Sequence, residues 1–112
     1  MQKKIYAPIA ADVEKVGKTV LDAAFKVHTA LGPGLLESVY ETCTAFEIRE
    51  MGLRLDMLVE NCVIVEFKSV ENMNPIYEAQ LLTYLKLTGI RLGFLINFNV
   101  VHLKDGIKRM VV

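Results

Sequence analysis

A chain of 112 residues has the size of one domain, expected to span 1–112, with a core of modest depth. Its 13 basic side chains balance 13 acidic ones, which excludes strong non-specific attraction to a nucleic-acid backbone but not a locally positive groove. Apolar residues make up 53%, more than so small an interior needs, which predicts a homo-oligomer interface, while no run reaches the roughly 18 apolar residues of a membrane span.

The stretch from Met1 to Lys15 is positively charged but has no apolar run long enough for a secretory signal, so the cytoplasm is the expected compartment. Residues 12–31 predict a helix, because Val13, Val16, Val20, Ala24, Val27 and Leu31 recur at helical spacing. Asp12 suits its cap or first turn. The run then meets Gly32-Pro33-Gly34. Gly32 can take the left-handed conformation that closes a helix, and Pro33 cannot continue the ladder. His28 near this end is explained by the field of a helix C-terminus, and it could approach Glu37 across the corner.

A second helix fits 35–51, with Leu36, Val39, Tyr40, Cys43, Phe46 and Ile48 as its apolar contacts and Gly52 as its stop. Glu37 falls in its first turn, where free backbone N–H groups favour a carboxylate. The following RLDMLVENCVIVEFKSV reads as antiparallel strands at 54–59 and 63–69. Pro75 opens a helix over 75–88, and Gly89 ends it. A strand at 91–98 and a last strand at 107–112 complete the chain, with turns at Asn97, Asn99 and Asp105-Gly106. Cys43 and Cys62 lack zinc-ligand spacing, so they are expected as two buried free thiols. His102 reads as a surface or turn residue, and Lys104, Lys108 and Arg109 as solubilising charges.

The hairpin concentrates the chemistry. Alternation puts Leu55, Met57, Val59, Val63, Val65 and Phe67 on an apolar face. The other face holds Arg54, Asp56, Leu58, Ile64, Glu66 and Lys68. Both faces keep their character if Val59 pairs with Val63 around a Glu60-Asn61-Cys62 loop, which sets Asp56 opposite Glu66. Facing carboxylates repel, and Lys68 offsets this only in part. A divalent cation would offset more, and oxygen ligands suit Mg2+ or Mn2+. Two carboxylates beside a lysine are a plausible phosphodiesterase centre; an Asp/Glu/Lys ion network on a solvated face is the plainer alternative. On helix 75–88, Gln80 and Tyr84 share a face one turn beyond Tyr77. They could bind water or phosphate over the carboxylates, or simply be helix surface.

The segment HTALGPGLLESVYE, from His28 to Glu41, resembles the signature of the GxxExxY protein family, with Gly34, Glu37 and Tyr40 at its named positions. Ile64–Lys68 resembles that family's Glu-x-Lys strand, and Glu78–Leu85 its following helix. The family is placed in the PD-(D/E)xK nuclease-like superfamily. The resemblance implies a compact α/β (α+β) fold, restriction-endonuclease-like, with a mixed sheet flanked by helices. It further implies metal contact by Asp56 and Glu66, an assisting Lys68, and supporting roles for Glu37 and Gln80. Resemblance and residue reading together make Asp56, Glu66 and Glu37 the candidate metal ligands, Glu66, Lys68 and Gln80 the candidate catalytic residues, and Tyr84 and His28 candidate supports. The chain departs from the pattern between the second helix and Asp56, where the family carries a longer segment that supplies an extra strand pair. Here Gly52-Leu53 leads almost directly into Arg54-Leu55-Asp56, leaving an edge that a second subunit could pair with.

Two functions follow from these readings. The first is a Mg2+- or Mn2+-dependent phosphodiester hydrolase acting on DNA or RNA. The second is a non-catalytic, oligomeric interaction or regulatory protein that retains the fold.

Overall fold

The computed structural model describes residues 7–53, 55–56 and 58–112, without the side chains of Leu55 and Asp56. In chain order these form α1 (Ala11–Leu31), α2 (Glu37–Glu50), β1 (Leu55–Asp56), β2 (Leu58–Val59), β3 (Val63–Lys68), α3 (Pro75–Thr88), β4 (Leu92–Asn97), a 3-10 turn (Leu103–Gly106) and β5 (Ile107–Val111). The predicted helices and the strands at 63–69, 91–98 and 107–112 are present, with ends shifted by a residue or two except in α3, whose bounds agree, while the strand expected at 54–59 is replaced by the two short strands β1 and β2.

Among the described residues the strands make one mixed sheet in the order β1-β2-β3-β4-β5. β3 and β4 run parallel, joined through α3, and the remaining neighbours are antiparallel. Period-two alternation along β3 sends its side chains to two different helical layers. Val63, Val65 and Phe67 join Val20, Ala24 and Val27 of α1 and Tyr40 and Ile48 of α2. Ile64 instead packs with Leu81 and Leu85 of α3 and Leu95 of β4. This is an α+β fold of the reduced restriction-endonuclease-like kind, with helices on both faces of the sheet.

The loop of the hairpin is as expected: Val59 pairs with Val63. Glu60 and Asn61 both have positive φ, 52° and 56°, as in a type I′ turn, and Cys62 N–H donates to Val59 O at 3.1 Å. The strand before it differs. β2 stops at Leu58, the backbone reverses, and Asp56 pairs with Leu58 instead of facing Glu66. The tether to α2 bears on this: the Leu53 N–H is still bonded to Ile48 O, so the chain enters β1 from a point fixed at the end of the helix. Cys43 and Cys62 are half-buried free thiols, where full burial was expected. Burial is still what raises the Cys62 thiol pKa first, followed by the charges of Asp12 and Glu60.

The corner between α1 and α2 is held from inside. Gly32 and Gly34 take positive φ, 68° and 94°, which a side chain would resist. The fully buried Tyr40 donates its hydroxyl to Gly32 O at 2.6 Å and accepts from Leu35 N–H at 3.1 Å. Its ring stacks on Phe98 at 4.5 Å, and Phe98 in turn stacks on Phe67 at 5.7 Å. Tyr40→Phe keeps the ring but strands both backbone partners, so it should cost about 1–3 kcal/mol in urea unfolding with an unchanged m-value. An unchanged midpoint would show that the hydroxyl does not hold the corner.

Candidate functional site

β3 ends at Lys68, and its carboxyl end is tied on two sides. Phe98 N–H donates to Lys68 O at 2.9 Å, and Ser69 Oγ donates to Leu35 O at 2.6 Å. The second bond fastens the end of the Glu-x-Lys strand to the residue two before Glu37. Asn97, 4% exposed, reinforces the joint: its Oδ1 accepts from Val70 N–H at 3.1 Å and its Nδ2 donates to Val70 O at 3.0 Å. The first turn of α2 and the end of β3 are thereby set side by side.

By strand alternation Glu66 and Lys68 stand on the α3 side of the sheet, the side of Ile64. Both are half-buried. Glu66 pairs in register with buried Leu95 of β4. Burial therefore raises the Glu66 pKa, and it is the largest influence. The Lys68 charge lowers it, and the nearby carboxylates of Glu37 and Glu41 raise it again. The net shift is upward. Glu37 and Glu41 lie four apart on α2 and so share a helix face. Lys68 extends the other way, with Nζ 4.3 Å from the ring centroid of Tyr77 on α3.

The charges of Lys68, Glu37 and Glu41 thus all act on Glu66 where α2, β3 and α3 converge. Of the expected site residues, Glu37 and Lys68 are the ones whose charges act on Glu66. The Asp56 backbone lies on β1, two strand spacings from β3, about 10 Å laterally, and its side chain lies outside the described ones. Gln80 and Tyr84 are exposed and line a shallow hollow of α3 with Ala79 and Thr83. Among the described residues neither is hydrogen-bonded to Glu66 or Lys68. His28 does not turn to Glu37. It is 8% exposed, packs at 6.3 Å on Phe98, and its Nε2 lies 2.8 Å from Val100 O, where only a protonated nitrogen can donate. That bond anchors the loop after β4, so His28 is structural. His102 is exposed at the start of the 3-10 turn, as expected.

Glu41 and Tyr77 are members of the site that sequence reasoning missed. The signal for Glu41 was its four-residue spacing from Glu37. Helical spacing sets Tyr77 one turn before Gln80 and Tyr84 on α3, but it does not reveal contact with a lysine on a strand.

The donor chemistry fits a hard divalent cation: carboxylate oxygens, one of them destabilised by burial and by two like charges. Among the described residues, no group of three His, Cys, Asp or Glu side chains is close enough together to hold one. Asp56 stands outside that statement, because its side chain is not described.

The raised Glu66 pKa has a signed consequence for stability. The group favours the folded state fully below its unfolded pKa, and this contribution fades as pH rises through the folded one. Glu66→Gln removes the charge that the fold disfavours. Thermal melts should show a rise of roughly a few degrees at pH 7 and a smaller gain near pH 4. An equal change at both pH values would show that the carboxylate is not strained.

The model of the PD-(D/E)XK nuclease superfamily matches residues 14–56 and 50–110. The two pieces cover most of the chain and overlap at 50–56, the short connector that leads from α2 into β1. No curated protein and no solved structure matches the chain. Among the described residues no helix is long and apolar enough to cross a membrane. The matched span includes α2, β3 and α3, the elements that carry Glu37, Glu66, Lys68 and Gln80, and on it the chain belongs to the PD-(D/E)XK nuclease superfamily.

Proposed function

We propose that the chain, as one domain over 1–112, is a metal-dependent phosphodiester hydrolase acting on DNA or RNA, within the GxxExxY branch of the superfamily. The observation that carries this reading is Glu66. Its carboxyl is half-buried and its pKa is raised, with Lys68 two residues away and Glu37 and Glu41 close by. A cation would relieve that strain, whereas a purely structural ion network would be expected to have relieved it already. The GxxExxY positions support the branch on physical grounds. Gly34 permits the corner, Tyr40 fastens it, and Glu37 is delivered to Glu66 as a result.

In this reading Glu66, Asp56 and Glu37 hold Mg2+ or Mn2+, which when bound polarises a phosphate and lowers the pKa of its water. Lys68 donates N–H to a non-bridging phosphate oxygen and offsets charge there as the scissile bond is attacked. Leu95 and the apolar face of α3 limit water around Glu66, which strengthens these interactions. Gln80 and Tyr84 offer an amide and a ring at the exposed flank of α3, positioned to meet the polynucleotide.

A second reading has its own observation. Asp56 is separated from β3 by β2, so its backbone is not paired with that of Glu66. A chain that kept the fold but lost the carboxylate pairing would serve as a non-catalytic, oligomeric interaction or regulatory protein, paired through the β1 edge. Calorimetric titration separates the two. The hydrolase binds Mn2+ at one site per chain, Asp56→Asn weakens that binding, and affinity falls with acidification earlier than for an ordinary glutamate because protonated Glu66 cannot ligate. Labelled DNA and RNA panels with Mg2+ or Mn2+ should be cleaved, and Glu66→Gln or Lys68→Ala should each reduce cleavage about a hundredfold or more. No site-specific metal binding and no cleavage, in a dimer by light scattering, would establish the second reading instead.

A further inference from the structure

We infer that Tyr77 is the positioning residue for Lys68. Its ring holds the ammonium beside Glu66 while leaving the N–H donors free. What those donors then do rests on the hydrolase reading above; where the ammonium sits does not.

A lysine side chain on a strand normally sweeps a wide volume, and fixing it costs rotamer entropy. Something must hold Lys68 if it is to meet one phosphate oxygen. The neighbour that could do so by charge is Glu66, but a close Lys68–Glu66 ion pair would compromise both partners. It would draw the ammonium onto the carboxylate, taking one of its three donors from phosphate and a carboxylate lone pair from a cation. The structure avoids this. Among the described residues the ion pairs join Lys18 to Asp22, Lys26 to Glu47, Lys108 to Glu78 and Arg109 to Glu14, and Lys68 is in none of them. Its Nζ sits 4.3 Å from the Tyr77 ring centroid, well inside the range of a cation–π contact. A ring face attracts the positive charge without accepting all three N–H groups.

The platform itself is built to stay still. The Tyr77 ring packs against the Ile64, Leu81, Leu85 and Leu95 cluster. Its helix begins on a fixed first turn: Pro75 presets φ, Asn74 Oδ1 accepts from Ile76 N–H at 3.0 Å, and Tyr77 N–H donates to Asn74 O at 3.0 Å. Lys68 is anchored from its own side through the Phe98 bond to its carbonyl. The main chain at both ends of the contact is therefore fixed, and the ring is what places the ammonium. The tyrosine hydroxyl has no part in this arrangement, so phenylalanine should substitute and an aliphatic residue should not.

The test pairs Tyr77→Phe with Tyr77→Leu in the full chain. In wild type the Lys68 ε-methylene proton resonances should be displaced upfield by the ring current. They should stay displaced in Tyr77→Phe and return to free-lysine values in Tyr77→Leu, with both variants folded by amide spectra. In the DNA and RNA cleavage assay, Tyr77→Leu should lower kcat about tenfold with KM little changed, and Tyr77→Phe should restore it. Undisplaced Lys68 resonances in wild type would overturn the inference. So would Tyr77→Leu cleaving as fast as wild type. Displaced resonances in a wild-type protein that cleaves nothing would support the placement of Lys68 and overturn the hydrolase reading alone.

Discussion

Between Leu31 and Glu37 the chain reverses direction, and one buried hydroxyl is bonded to both sides of the reversal. Tyr40 reaches back from the first turn of α2 to Gly32 O and Leu35 N–H, while its ring lies on Phe98. Leu35 O also receives the Ser69 hydroxyl from just beyond β3. The same few residues thus close the helix pair, seat it on the aromatic stack above the sheet, and dock it to the end of the Glu-x-Lys strand. The clasp fixes where α2 starts, and from there the Glu37 charge acts on Glu66.

Much of this was legible in the sequence. Helical spacing and the Gly-Pro-Gly stop gave α1, and Pro75 with Gly89 bracketed α3 to the residue. Period-two alternation separated Val63, Val65 and Phe67 from Glu66 and Lys68, and the two groups do meet different layers. The Val59–Val63 register also follows from matching faces. What failed was the assumption that β2 continues past Leu58. Alternation describes which way side chains point along a strand; it contains no information about where the backbone turns. His28 escaped for a related reason. Its partner, Val100 O, lies 72 residues away on a loop whose position only the finished fold determines.

The site is a compromise between folding and chemistry. A half-buried carboxylate that feels two like charges destabilises the protein that holds it, and among the described residues Lys68 is the cation that offsets this. Natural domains tolerate such local costs where a site must be ready before its ligand arrives. The framework can bear the cost because its core elsewhere is well joined: both α1 and α2 pack on Phe94, Ile96 and Phe98, and Asn97 pins the following loop. The weak point is the outer edge at β1 and β2, each two residues long, where the superfamily match doubles over itself. Activity in this chain turns on whether Asp56 still reaches Glu66 from there.

Paramagnetic broadening by Mn2+ addresses that question directly, residue by residue and without a substrate. At substoichiometric Mn2+, the resonances of Asp56, Glu66 and Glu37 should broaden first, with Lys68 close behind and His28 and His102 unaffected. Broadening that begins at the histidines, or spreads evenly over surface carboxylates while Glu66 stays sharp, would contradict the account.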